Sequence, residues 1–246
     1  MSKCDEIDVF IHGSDLQLVE VELDQNETVI AEAGAMIFFQ DGITFEPKMG
    51  DGSDPNEGMF SKILSAGKRI LTGESVFLTH FRNTQPGKRR VAFSGPHPGK
   101  VIDIDLKDVG EEIICQKEAF MCAAKGTNIS IAINQKLGSG FFGGEGFIMQ
   151  SIKGDGRVIL CAGGYIYKQE LNNEKLSVDT GCVVALTKGV NMNIEPAGSG
   201  LKSMILGGEG LFLTTLEGTG TVWIQSMPIN RLVSSIASRL PKPQSS

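Results

Sequence analysis

The chain is short of the residues that most often carry out chemistry. Of its 246 residues three are histidine, His12, His80 and His97, and no two stand at metal-ligand spacing on one element. The five cysteines, Cys4, Cys115, Cys122, Cys161 and Cys182, are odd in number and show no CxxC pairing. Most lie among apolar residues, where a free cysteine behaves as a small hydrophobe, and this points to a reducing compartment. No nucleophile elbow GxSxG is present. No apolar run approaches the roughly 18 residues that span a bilayer. The start, Met1 to Glu6, lacks an apolar signal core and is too acidic for a transit peptide. The glycosylation triplets at Asn26 and Asn128 therefore read as chance matches. With 23 basic against 29 acidic residues the net charge is −6, which argues against a general nucleic-acid binder. These absences lead us to expect a soluble cytoplasmic protein, without a cofactor, that is not an enzyme of the usual His, Cys or metal kind.

Glycine, by contrast, is abundant, at 31 residues in short clusters, as many tight turns between short strands would require. The clusters recur. Leu71-Thr-Gly-Glu74-Ser-Val-Phe-Leu-Thr79 matches Phe142-Gly-Gly-Glu145-Gly-Phe-Ile-Met-Gln150 and Leu206-Gly-Gly-Glu209-Gly-Leu-Phe-Leu-Thr214. Each leads through a Gly-containing turn, such as Gly154-Asp-Gly156 or Gly218-Thr-Gly220, into a second apolar stretch, the pattern of a hairpin. Ahead of each stands a strand signal: Leu18 to Leu23, Val101 to Leu106 and Tyr165 to Leu171, the first two alternating apolar and polar. Between the two landmarks comes a further Gly and short strand, beginning at Gly42, Gly126 and Gly189. Landmarks in one order, three times over, define a repeat. The expectation is an all-β chain of three tandem sandwich-like repeats, 14–100 (insertion 50–70), 101–164 and 165–228, with 229–246 as helix and tail.

Two helices are expected. One lies in the insertion, where Met59, Phe60, Ile63, Leu64, Ile70 and Leu71 can share a face, with Lys62, Lys68 and Arg69 elsewhere. The other runs from Ile229 to Leu240 between Pro228 and Pro241. Both read as caps on open ends of the β core. The alternative is contact with a partner or a membrane surface through Lys62, Lys68 and Arg69.

Motifs of nucleotide chemistry fail on context. Gly138-Ser-Gly140-Phe-Phe-Gly143 fits GxGxxG, but it leads into a strand and not the helix that holds a pyrophosphate. Gly198 to Ser203 has Leu201 where a phosphate-binding loop needs glycine. The recurring polar residues are Glu74, Glu145 and Glu209. Around a pseudo-threefold axis they could hold a cation or cationic ligand, since clustered carboxylates repel unless neutralised. The competing account, favoured because buried charges are normally paired, is that each fixes the start of its strand through backbone amides or a nearby Lys or Arg.

On the three Gly-Glu segments, and on Leu206 through Gln225-Ser-Met-Pro228, the chain resembles the altered-inheritance-of-mitochondria family, the one numbered twenty-four. The resemblance extends from about Leu16 to Leu240. It implies a β-sandwich similar to the tryptophan RNA-binding attenuator protein, three units per chain in a pseudo-threefold arrangement. It also implies a scaffold or assembly role, through protein partners or at a membrane periphery, and no catalytic residues to carry over; exposed β edges and the two helices are natural places for self-association. The mitochondrial location of the yeast-type members does not carry over without a transit peptide. No basic triplet recurs as the RNA ring of the attenuator protein would require. Fold likeness alone does not give function. A small-ligand or metal-ion site at the repeat interface is the alternative.

Overall fold

The computed structural model describes residues 3–49, 77–135, 146–196 and 212–240. Among them are the strands β1 (Asp8–His12), β2 (Leu18–Leu23), β3 (Thr28–Glu32), β4 (Met36–Phe39), β5 (Ile43–Met49), β6 (Phe77–Asn83) and β7 (Arg89–Ser94). There follow β8 (Gly99–Asp105), β9 (Glu112–Gln116), β10 (Phe120–Ala124), β11 (Asn128–Gln135), β12 (Phe147–Lys153) and β13 (Arg157–Gly163). The last are β14 (Ile166–Asp179), β15 (Val183–Thr187), β16 (Val190–Pro196), β17 (Phe212–Gln225) and the helix α1 (Ile229–Ala237). Among the described residues the chain is mostly β, in several sheets, with an α-helix near the C-terminus.

Among the described residues three sheets form, all with antiparallel pairings: β1-β2-β7-β4; β5-β6-β3-β10-β13-β8; and β11-β12-β9-β15-β17-β14, with β16 also on β17. One pairing scheme runs through them three times. In the first stretch β2 and β4 flank β7, while β3 and β5 flank β6. In the second β8 and β10 flank β13, while β9 and β11 flank β12. In the third, β14 and β17 each serve both halves, with β15 and β16 on the outer side of β17. A bulge falls at the same place each time, between Met36 and Phe38, Phe120 and Cys122, and Val183 and Ala185.

The Gly turns are not hairpins. β12 and β13, joined through Gly154-Asp-Gly156, pair with different neighbours in different sheets, and β6 and β7 do the same. The turn carries the chain across the sandwich. In the third stretch Gly218-Thr-Gly220 lies inside the single strand β17, where the backbone bends at φ 135° and 155°. A side chain at Gly218 would meet the Gly189 carbonyl, so this crossing excludes a Cβ. The facing strand bends at Asn173, φ 54°, beside a register shift. Apolar residues on both sides of a turn signal two strands; their pairing depends on which sheet each can bury.

Burial follows the layers. Alternation along β2 puts Val19, Val21 and Leu23 inward and Glu20 and Glu22 outward. β10 and β13 in the middle sheet are buried along nearly their whole length, because that sheet is covered on both faces. Val91, Phe93, Met121, Cys122 and Ile159 belong to the core on one side, and Ile113, Ala123, Val158, Leu160 and Trp223 to the core on the other. A third core, with Phe147, Met149, Leu186 and Leu216, fills the fold of the last sheet.

The C-terminal helix has the expected periodicity but caps no core. None of its residues is buried, and Val233, Ile236 and, beyond its end, Leu240 are 54%, 52% and 63% exposed. It is tied on by Arg231, whose Nη2 donates to Asp179 Oδ2 at 2.8 Å. The expected inserted helix lies outside the described residues.

Candidate functional site

The sequence singled out Glu74, Glu145 and Glu209 for a ligand or cation, and Lys62, Lys68 and Arg69 for a membrane or partner. All six lie outside the described residues. Among the described residues no group of three His, Cys, Asp or Glu is placed to hold a metal. What the described residues offer is a surface and a cavity.

The surface is built on β4. All four of its residues are exposed, Met36 by 37%, Ile37 by 47%, Phe38 by 43% and Phe39 by 37%. The strands at the same position in the scheme, β10 and β15, are buried throughout. β4 is therefore core-type sequence at a surface position, its side chains alternating between the two faces of the sheet edge. Phe39 anchors it inward through rings: its centroid is 5.6 Å from Phe45 and 6.4 Å from Phe81, and Phe81 meets Phe93 edge-on at 5.4 Å. Phe81 and Phe93 are buried, while Phe45 is 56% exposed and extends the apolar surface.

The rest of that sheet face is charged and paired. Arg90 donates to Glu20 and Glu22, each at 2.8 Å, and its guanidinium stands 5.2 Å from the Phe10 ring. Lys88 reaches Asp8 at 2.9 Å and Glu22 at 2.8 Å. Hydrogen bonds from Lys88, then Arg90, hold the Glu22 carboxyl below its ordinary range. Here two cations meet three carboxylates, so this part of the sheet face has no positive surplus to attract a polyanion.

The cavity, about 430 Å³, opens between two turns of the scheme. Glu32 to Ala35, Ser94 and Pro96 line one side, and Gln116 to Glu118, Phe120, Met121 and Ile148 the other. It is large enough for a small metabolite. Burial raises the Glu32 carboxyl above its ordinary 4.5, opposed by the charge of Lys117. Glu32 and Lys117 come from turns 85 positions apart, so sequence spacing gave no sign of the cavity. The β4 surface did leave a sign, the run Met36-Ile-Phe-Phe39, but the same kind of run is buried in β10 and β15.

Burial also disposes of the thiols. It pushes Cys161 up to about 12 and raises Cys115 and Cys122 further, leaving no activated nucleophile among these three. No helix among the described residues is long and apolar enough to cross a membrane.

Layered antiparallel sheets, one of them ending in an exposed apolar strand, define a β-rich protein. Residues 9–227 match the family described as Mitochondrial biogenesis AIM24, and the chain belongs to that family. It is similar, at 27% identity over 91% of this chain and 87% of the other, to an uncharacterized protein of Streptococcus pyogenes serotype M6. The crystal structure of protein SPYM3_0169 from Streptococcus pyogenes has the same fold. Its TM-score is 0.75 at 22% identity, covering 96% of this chain and all of that one.

Proposed function

We propose that the chain is a non-enzymatic scaffold that works by docking protein surfaces on its open sheet edge. The exposure of all four residues of β4 carries this reading, because their counterparts in β10 and β15 are core residues. An edge strand with apolar side chains and unpaired backbone groups is a ready template for another chain. Peripheral membrane contact through Lys62, Lys68 and Arg69 belongs to the same proposal as a second means of attachment.

The test is cross-linking and affinity capture from native lysate with the unaltered chain beside Ile37→Ser/Phe45→Ser, both positions being exposed. Reproducible partners, lost in the variant, are expected. Identical recoveries from both would remove the reading.

The cavity favours a second reading, a small-ligand-binding protein at the interface of the first two stretches. An occupant would be small and largely apolar, with polar ends to meet Glu32 and Lys117. Native mass spectrometry of the gently purified chain, against Ala33→Phe to fill the cavity, should show a bound mass that the variant loses. Identical bare-chain masses would rule the reading out.

A further inference from the structure

Each third of the chain contributes two half-sheets, and the way the thirds join specifies an unmade joint. The middle sheet exists because β3 of the first stretch pairs with β10 of the second. The last sheet exists because β9 of the second pairs with β15 of the third. Both joints use the same two strand positions. The third stretch has its own copy of the first position, residues 174–179 of β14, and the first stretch has its own copy of the second, β4. Among the described residues 174–179 pair only with β17, and β4 only with β7. Other edges, such as β5 and β11, end their sheets at corresponding places and distinguish nothing. One donor edge and one acceptor edge are left over, at opposite ends of the sheet system.

We infer that these two edges join between copies: residues 174–179 of one chain pair antiparallel with β4 of the next. This rests on the scaffold reading and names its partner as a second copy. The existing joints specify the register. In them Cys122 faces Ala31, Ala123 faces Ile30 and Ala124 faces Val29, and Ala185 faces Cys115, Leu186 faces Ile114 and Thr187 faces Ile113. The shared bulge aligns Phe38 with Cys122 and Ala185. The one-turn connections after Glu32, Gln116 and Asp179 align Val178 with Ala31 and Cys115. Between copies, then, Phe38 faces Val178, Phe39 faces Ser177 and Gln40 faces Leu176.

One step further along, charge agrees. At the joint of β9 and β15 that step sets Lys188 against Glu112. The carboxyl of Glu112 is held below its ordinary range first by the Ser151 hydroxyl, with Lys153 and Lys188 adding. At the joint between copies the same step sets Asp41 against Lys175, opposite charges with the two sides exchanged. Pairing buries the four apolar residues of β4 as β10 and β15 are buried, and it supplies the sheet β1-β2-β7-β4 of one copy with the half-sheet it lacks. The contact is head-to-tail, so the edge left open on each added copy continues the assembly into a ring or a chain.

The experiment is sedimentation velocity and light scattering on the full chain over a range of concentrations. The unaltered protein should form species well above its 26.4 kDa monomer. Phe38→Lys blocks the β4 edge and Ser177→Lys blocks the other; both side chains are exposed, so circular dichroism should remain unchanged. Each variant alone should be monomeric. Mixed, the two should form a 1:1 pair, because each retains the edge the other has lost, and growth should stop there. As a second arm, Asp41→Lys and Lys175→Asp should each weaken assembly several-fold, and the chain carrying both should recover it. An unaltered chain that stays monomeric overturns the inference, as does assembly indifferent to both blocks or a mixture that fails to pair. A monomer that still captures its partners through Ile37 and Phe45 overturns self-pairing and leaves the scaffold reading standing. A monomer that captures nothing overturns both.

Discussion

Single residues hold the sandwich corners, and Asn83 shows how. Its side chain is fully buried where β6 leaves its sheet, and Nδ2 donates to the Leu23 carbonyl at 3.0 Å and the Gly87 carbonyl at 2.7 Å. Its Oδ1 accepts from the Gln85 amide at 3.0 Å. Asn83→Ala takes this partner from three backbone groups, of which the Leu23 carbonyl is in a buried bond, and an unsatisfied buried group costs about 1–3 kcal/mol. Urea unfolding should show a loss in that range, with the slope unchanged. Glu32 works in the other direction. Burial raises its pKa in the folded chain, so the folded state keeps a proton that the unfolded chain has released above 4.5. Stability from this group is therefore lost as pH rises from 4.5 through the raised value, and the cost is full above it. Glu32→Gln should raise the melting temperature at pH 7, with the difference vanishing below pH 4.5. A difference independent of pH would assign the effect to packing instead.

At the scale of elements, strands were legible in the sequence and their partners were not. Alternation in Leu18 to Leu23 gave a half-buried strand, and β2 occupies those residues. The Gly at 42, 126 and 189 marked a turn, and all three adopt positive φ, 93°, 104° and 111°. The Gly-Glu strands were seen, yet their hairpins were not formed, since a two-residue period says which face is apolar and nothing about which sheet will cover it. The helix at Ile229 was equally plain, but helical periodicity cannot say whether the apolar side meets a core. Glu32 and Lys117 escaped notice because nothing local marks two turns from different stretches as neighbours. The recurring geometry of the turn gives its own expected outcome. A Cβ at Gly189 would stand 2.6 Å from the Thr219 carbonyl oxygen, at a φ that L-residues avoid. Gly189→Ala should cost more than about 1 kcal/mol, where a compatible glycine would gain from the same change. Equal stability of the two chains would show that the bend in β17 yields.

Across the whole molecule the middle sheet decides whether the cores act together. β10 turns Cys122 toward the first core and Ala123 toward the second, and β13 sends Ile159 to the first and Leu160 to the second. Neither core can open without exposing strands that close the other. The buried thiols give a direct reading, since Cys122 lies in the first core and Cys115 in the second, both at 0% exposure. Cys4 is only part-buried and its thiol, though raised by burial, reports the rim instead. In a denaturant series with a maleimide probe and mass-spectrometric mapping, Cys4 should label first. Cys115 and Cys122 should then become reactive at one shared midpoint, the one at which circular dichroism is lost. Two separated midpoints would mean that the outer sheets peel away independently.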